Sequence, residues 1–213
     1  MKSKVTSAPA IEPVTLTELK TALRITASTD DTLLTQLIID ARTYAEDYTG
    51  RKFITQTLVS YADNLAGDLT DEWQPGYRVG YEVGIYSGDR QVKFDWVPAQ
   101  SITSVITVDT DNAETTYAST NYYLDNYDNN LFPFVNVNDN STLVNTSLRS
   151  KNAIKITWIA GYGDAAVDVP ASIRRGILMM ASHLYTNRGD CGDDCVSKSG
   201  ANSYIDKYRM LSV

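Results

Sequence analysis

Ala153-Ile-Lys-Ile-Thr-Trp-Ile-Ala-Gly-Tyr-Gly-Asp164, followed by Val169-Pro170 and a run ending Ser182-His-Leu-Tyr-Thr-Asn-Arg188, decides how this chain folds. The first part reads as a strand over Ala153–Ile159 that Gly161-Tyr-Gly163 brings to an end. Asp168-Val-Pro170 then opens a helix, because proline is tolerated in a first turn whose N–H groups have no intrahelical acceptor. Ile173, Ile177, Met180, Ala181 and Leu184 form its apolar face, and Gly189 ends it.

Toward the N-terminus, residues 1–12 read as a loose arm. Thr15 N-caps a short helix, and Glu18 three places on completes a capping box. Leu16, Leu19, Ala22 and Leu23 share one face of it. After a polar break from Thr26 to Asp31, with Asp30 or Asp31 as cap, comes the cleanest helical period in the chain. Leu33, Leu34, Leu37, Ile38, Ala41, Tyr44, Ala45 and Tyr48 make one apolar stripe, while Asp40, Arg42, Glu46 and Asp47 fall outside it and Gly50 supplies the stop. Two helices this short cannot bury both stripes alone, so the C-terminal helix is assigned as their third element.

From Phe53 the period changes to two: Thr55, Thr57, Val59 and Tyr61 point one way, Ile54, Gln56 and Leu58 the other. Residues 64–90, rich in Gly and Tyr, read as a loop or a loosely paired hairpin. Further strands are predicted at Gln91–Phe94, Ile102–Asp109, Tyr122–Asp125 and Phe134–Asn138, with turn chemistry at Asp109-Thr-Asp-Asn112 and Asp125-Asn-Tyr-Asp-Asn-Asn130. The expectation is an α+β fold: a small helical bundle formed by two N-terminal helices and one C-terminal helix, with an inserted antiparallel β sandwich or barrel. In residue terms, 1–52 with 169–213 form the helical core and tail, and 53–168 the β insertion.

The net charge of −7 is unevenly placed. Residues 1–52 carry seven acids and seven bases; residues 53–168 carry fifteen acids and six bases, net −9; residues 169–213 carry six bases and four acids, net +2. Sequence-independent DNA binding arrays Lys and Arg against phosphates, and the middle region is the reverse of that. Such a wall repels DNA, although ordinary solubility charge explains it equally well. Fourteen tyrosines against four phenylalanines suit strands, and also surfaces that an assembly covers. No apolar run approaches the roughly 20 residues of a membrane span. Lys2 and Lys4 are followed by no apolar signal core, so folding in a cytosol is expected, with Cys191 and Cys195 reduced.

Chemistry-bearing motifs are weak. A structural zinc needs four ligands, and Cys191-Gly-Asp-Asp-Cys195 has only His183 to add, so it reads as two loop thiols. His183 has no marked Ser, Cys or acid partner, and there is no Gly-x-Ser-x-Gly elbow. Asp109-x-Asp111 begins like an EF-hand loop, but its sixth place is Glu114. Asp125, Asp128 and Asn129 suffice as turn formers. No catalytic, cofactor or metal residues are therefore assigned. Arg174 and Arg175 stand side by side in the first turn of a helix, the unfavourable end of its dipole for cations. Solvated charge is one reading, and pairing of one of them with an acid on a neighbouring subunit is the other.

Several segments, taken in order, resemble the head–tail connector (adaptor) family of tailed double-stranded DNA bacteriophages. Pro13-Val-Thr-Leu-Thr-Glu-Leu-Lys to Ile25 is similar to its first helix, and Asp30-Asp31 through Tyr44-Ala-Glu-Asp-Tyr-Thr-Gly-Arg51 to its second. Ile54-Thr-Gln-Thr57, Val97-Pro98, Ile102-Thr-Ser-Val105 and Tyr122-Tyr-Leu-Asp125 resemble its β part. Ile156 to Tyr162, Val169-Pro170, Tyr185 to Arg188 and Ile205-Asp-Lys-Tyr-Arg209 resemble its last strand, last helix and C-terminal segment. The resemblance implies a non-enzymatic virion protein, made in the bacterial host cytoplasm. It would form a ring, expected to be twelve-fold, beneath the portal protein, extend the DNA channel and dock the next neck or tail protein. Genomic DNA would pass through the lumen without sequence-specific binding, with no cofactor and no membrane. Portal binding is carried over to Tyr204, Ile205, Tyr208 and Arg209, on a tail expected to stay mobile until covered. Arg174, Arg175, Tyr44 and Tyr48 are the candidate subunit-interface residues. The alternative readings are a head-closure (stopper) or other tail component, and, from another class, a carbohydrate-binding or hydrolytic β module with helical ends.

Overall fold

The computed structural model describes residues 2–63, 91–126, 133–137, 148–187 and 195–210. The Gly/Tyr-rich stretch 64–90, Asp128 and Asn129 lie outside the described residues, as does Cys191. The chain divides into two compact units, Met1–Ser7 with Thr57–Ile159, and Ala8–Gln56 with Ala160–Val213.

In the second unit, α1 (Leu16–Leu23) and α2 (Asp31–Thr49) pack with α3 (Ala171–Thr186). The capping box forms as the spacing requires: Glu18 N donates to Thr15 Oγ1, and Thr15 N donates to Glu18 Oε2 at 2.7 Å. Val14 and Leu19, the flanking positions of a hydrophobic staple, are both buried. The buried face of α2 runs through Leu34, Ile38, Ala41 and Ala45, and α3 answers with Ile173, Ile177, Met180 and Ala181. Each Leu, Ile or Met among them, taken from water, contributes about 1.5–3 kcal/mol before entropy is counted.

Two sequence expectations for α2 change. Leu33 is 38% exposed, so the stripe is narrower than its apolar letters suggest. Arg42 and Glu46, placed outside the stripe, are buried beside it. The unit also carries two short helices, α4 (Cys195–Lys198) and α5 (Asn202–Ile205), the latter continued by a 3-10 turn over Asp206–Tyr208. The C-terminal segment is thus docked on α3 rather than free, because Val196, Ala201 and Ile205 belong to the same core.

The first unit holds two open sheets. The larger has the order β1-β2-β8-β4-β5, formed by β1 (Lys2–Ser7), β2 (Gln56–Ala62), β8 (Ile154–Ala160), β4 (Ala99–Val108) and β5 (Glu114–Tyr117). The smaller has the order β3-β7-β6, from β3 (Gln91–Lys93), β7 (Phe134–Val137) and β6 (Tyr122–Asp125). Neither sheet closes into a barrel, so that half of the expectation falls. The sandwich half is the better description, since Phe94 beside β3 stacks on Trp158 of β8 with ring centroids 4.0 Å apart.

Ile154, Ile156, Trp158 and Ala160 are buried and alternate with half-buried Lys155, Thr157 and Ile159, the period-two reading of this strand. The N-terminal arm is not loose: β1 pairs antiparallel with β2, Lys2 opposite Tyr61 and Val5 opposite Leu58. Ser3 is what fixes it. Its N–H donates to Asp95 Oδ2 at 3.0 Å, its hydroxyl donates to Asp95 Oδ1, and it meets Ser60, whose Oγ accepts from Trp158 Nε1 at 2.8 Å. Among the described residues no helix is long and apolar enough to cross a membrane.

Candidate interaction surface

The residues singled out from sequence fall on the helical unit. Gly176 begins the account, because its missing side chain lets α5 approach α3; a Cβ there would lie 2.5 Å from Ile205 Cγ2. Ile205 is fully buried, so it anchors the segment from inside. Tyr204, on the other side of α5, is exposed.

Beyond this anchor, residues 206–210 are held by polar and aromatic contacts. Tyr48 of α2 donates its hydroxyl to Asp206 Oδ1 at 2.6 Å, and the Arg209 guanidinium carbon lies 4.9 Å from the centre of the Tyr48 ring. Met210 N donates to Thr49 O at 2.9 Å. Beneath them Arg51 is only 2% exposed. Its Nε donates to Tyr208 O at 2.5 Å and its Nη1 to Tyr162 Oη at 3.1 Å. Burial pushes the Tyr162 phenol above its ordinary value, more than the Arg51 charge draws it down. Lys207 Nζ lies 5.0 Å from the Tyr208 ring centre. The structure therefore brings Tyr48, Tyr208 and Arg209 into one set of contacts, while half-buried Tyr44 packs against the core.

Arg51 enters this set because Gly50, at φ +69°, ends α2 in the left-handed region and turns the chain. The following residues run beside 160–163: Tyr162 N donates to Phe53 O at 2.9 Å, and Thr55 N donates to Gly163 O at 3.0 Å. Gly161, at φ +130°, lies so close to Ile54 that a Cβ would meet its carbonyl at 2.7 Å. The glycines read as the end of a strand thus also permit a close crossing of two chain segments.

A second polar cluster supports the first. Glu46 accepts from Lys52 Nζ at 2.9 Å, Phe53 N at 3.1 Å, Gln56 Nε2 at 2.7 Å and Arg42 Nη1 at 3.3 Å. Arg42 Nε also reaches Glu12 at 2.7 Å. Burial raises the Glu12 carboxyl above its ordinary value, against the lowering effect of Arg42.

Arg175 is exposed on α3, while Arg174 keeps a buried Nε without a hydrogen-bond partner. The Glu18 carboxyl is held below its ordinary value, chiefly by the Thr15 backbone N–H, with a smaller pull from the Arg174 charge.

Sequence reasoning missed an apolar pocket of about 300 Å³ lined by Ile11, Val14, Leu16, Ile38 and Ala166. Beside it Val167 is 77% exposed, on the turn that precedes α3. The only signal was Ile11 and Val14 lying just before the Thr15 cap. Among the described residues, no three of His, Cys, Asp and Glu converge as a metal set. His183 approaches Asn187 through Nδ1 at 3.2 Å.

The profile of the phage gp6-like head-tail connector protein family matches residues 13–136, more than half of the chain. No curated protein matches it in sequence. Among solved structures it is similar to a chain in the neck of an empty GTA particle computed with C6 symmetry. That match has TM-score 0.74 and 17% identity, and covers 100% of this chain and 97% of the other. With the same coverage it is similar to a chain in the virion of a native gene transfer agent (GTA) particle, TM-score 0.71 at 17% identity. A third similarity, TM-score 0.68 at 18% identity, is to a chain in the neck of a native GTA particle computed with C12 symmetry. Identities this low speak for the fold, and the family match speaks for the lineage. An α+β chain matched by that profile over more than half of its length belongs to the phage gp6-like head-tail connector protein family.

Proposed function

We propose that copies of this protein close into a ring, expected to be twelve-fold, beneath the portal. The ring extends the DNA channel, docks the next neck or tail protein, and acts by assembly rather than catalysis. The family match is the observation that carries this reading. Support comes from a fold shared over the whole chain with proteins of particle necks computed with C6 and C12 symmetry.

A head-to-tail ring requires two different surfaces on every copy. On the helical unit, Tyr204, Tyr208 and Arg209 are assigned to the portal, with Ile205 holding them in place from the core. Arg174, Arg175, Tyr44 and Tyr48 are assigned to the neighbouring copy, and the acidic β insertion of residues 53–168 to the channel or the distal face.

The test is a mass measurement of the purified protein alone and with portal-bearing heads that lack it. The expected result is a ring-sized increment on the heads. Heads that gain no mass would overturn the reading.

A further inference from the structure

We propose that residues 206–210 are a strap, closed in the free subunit and opened when the subunit docks. The inference rests on the neck reading above and concerns how that docking is regulated. Its basis is a change in the kind of contact along the C-terminal segment. Up to Ile205 the segment is anchored by apolar burial: Val196, Ala201 and Ile205 lie in the core, and Gly176 leaves the space that Ile205 fills. After Ile205 the fixings are mainly polar: the exposed Tyr48–Asp206 hydrogen bond, Arg209 over the Tyr48 ring, the Met210 N–H on Thr49 O, and the Tyr208 carbonyl on buried Arg51, with the Tyr208 ring against the core.

Exposed polar contacts contribute little net free energy, whereas core burial contributes much. Opening of residues 206–210 breaks these exposed contacts and also the Arg51–Tyr208 bond, which supplies most of the threshold, while the apolar anchor stays in place. Two of the three residues assigned to docking, Tyr208 and Arg209, are engaged in the closed form. Arg209 lies against Tyr48, and the Tyr208 carbonyl is taken by Arg51. A partner that uses Tyr208 and Arg209 competes with this self-contact, and the strap sets a threshold for assembly. What opening releases, a guanidinium and two phenol rings, suits an acidic partner surface with apolar relief.

The Tyr48–Asp206 bond can be removed from either side, by Tyr48→Phe or by Asp206→Ala, without touching the anchor. Hydrogen exchange reads the opening at the Met210 amide. Loss of one hydrogen bond of this kind is expected to speed it about tenfold, with the Ile205 amide and the amides of α3 unchanged. If opening precedes docking, attachment to portal-bearing heads speeds up by the same factor in Asp206→Ala, at a residue assigned to neither interface.

A third variant pins the strap shut. A Cβ on Gly50 lies 3.3 Å from Met210 Cβ, near the separation a disulfide spans. Gly50→Cys with Met210→Cys, in a Cys191→Ser, Cys195→Ser background, is expected to attach when reduced and to lose attachment when oxidised. Faster Met210 exchange with unchanged or slower attachment overturns the proposal, as do unchanged exchange or equal attachment of the oxidised and reduced forms. In each of those outcomes the wild-type protein still attaches and the neck reading stands. Only a wild-type protein that fails to attach removes the neck reading itself.

Discussion

Glu46 has about 1% of its surface exposed and receives donors from Arg42, Lys52, Phe53 and Gln56. A buried carboxylate is tolerable only when its oxygens are filled in this way, and removing it takes the shared acceptor from two buried cations, Arg42 and Lys52. Glu46→Ala is therefore expected to destabilise the protein by about 3–5 kcal/mol, measured by denaturant unfolding, with Glu46→Gln costing less. The helical period gave no hint of this, since a charged residue beside an apolar stripe reads as solvated. Its donors also come from positions 42, 52, 53 and 56, which no single periodicity connects. Glu18, by contrast, was legible in the letters themselves as a capping box. Its carboxyl is held below the ordinary value of 4.5, chiefly by the Thr15 N–H. The stabilisation it supplies is complete above the unfolded value and is lost as pH falls through the lower folded value. Glu18→Gln should thus cost about 0.5–1 kcal/mol at neutral pH, and the deficit should vanish in acid when unfolding is compared across pH.

The three long helices and most strands were readable as elements because their periods are clean and their ends carry caps, glycines or proline, whereas the short α4 and α5 were read as tail. Two strands were not readable. β1, Lys2–Ser7, is a polar edge strand whose fixing residue, Asp95, lies far along the chain. β5, Glu114–Tyr117, shows three exposed residues out of four, so it has no buried face to betray it. The C-terminal segment misled in the opposite sense, for its apolar residues suggested a tail awaiting a partner when Val196, Ala201 and Ile205 already lie in the core with α3. Deletion of residues 201–213 should cost about 2–5 kcal/mol, the loss of Ile205 from the core. Gly176→Val tests the same packing from the helix side. The added branches meet Ile205 Cγ2, and overpacking of about 1–3 kcal/mol should appear as a lowered melting temperature. A truncated chain that melts like the full-length protein would show that α5 contributes nothing.

For the whole molecule, charge distribution is the property that sequence states outright and structure does not alter. Residues 53–168 carry nine more acids than bases, and the chain as a whole has a net charge of −7. Affinity for nucleic acid grows with the number of phosphates that Lys and Arg neutralise, and each contact steepens the salt dependence. On the proposed channel reading, the subunit needs the reverse, a surface that offers phosphates no sustained grip. The isolated protein is therefore expected to leave duplex DNA unshifted in electrophoresis at low salt, where any electrostatic attraction is strongest. Lys or Arg replacements of acids in the insertion should create a retention that rises with each substitution and disappears as salt is added. Tight, salt-sensitive binding by the unmodified protein would place the basic residues of 169–213 against DNA, and the insertion could then no longer be assigned to the channel.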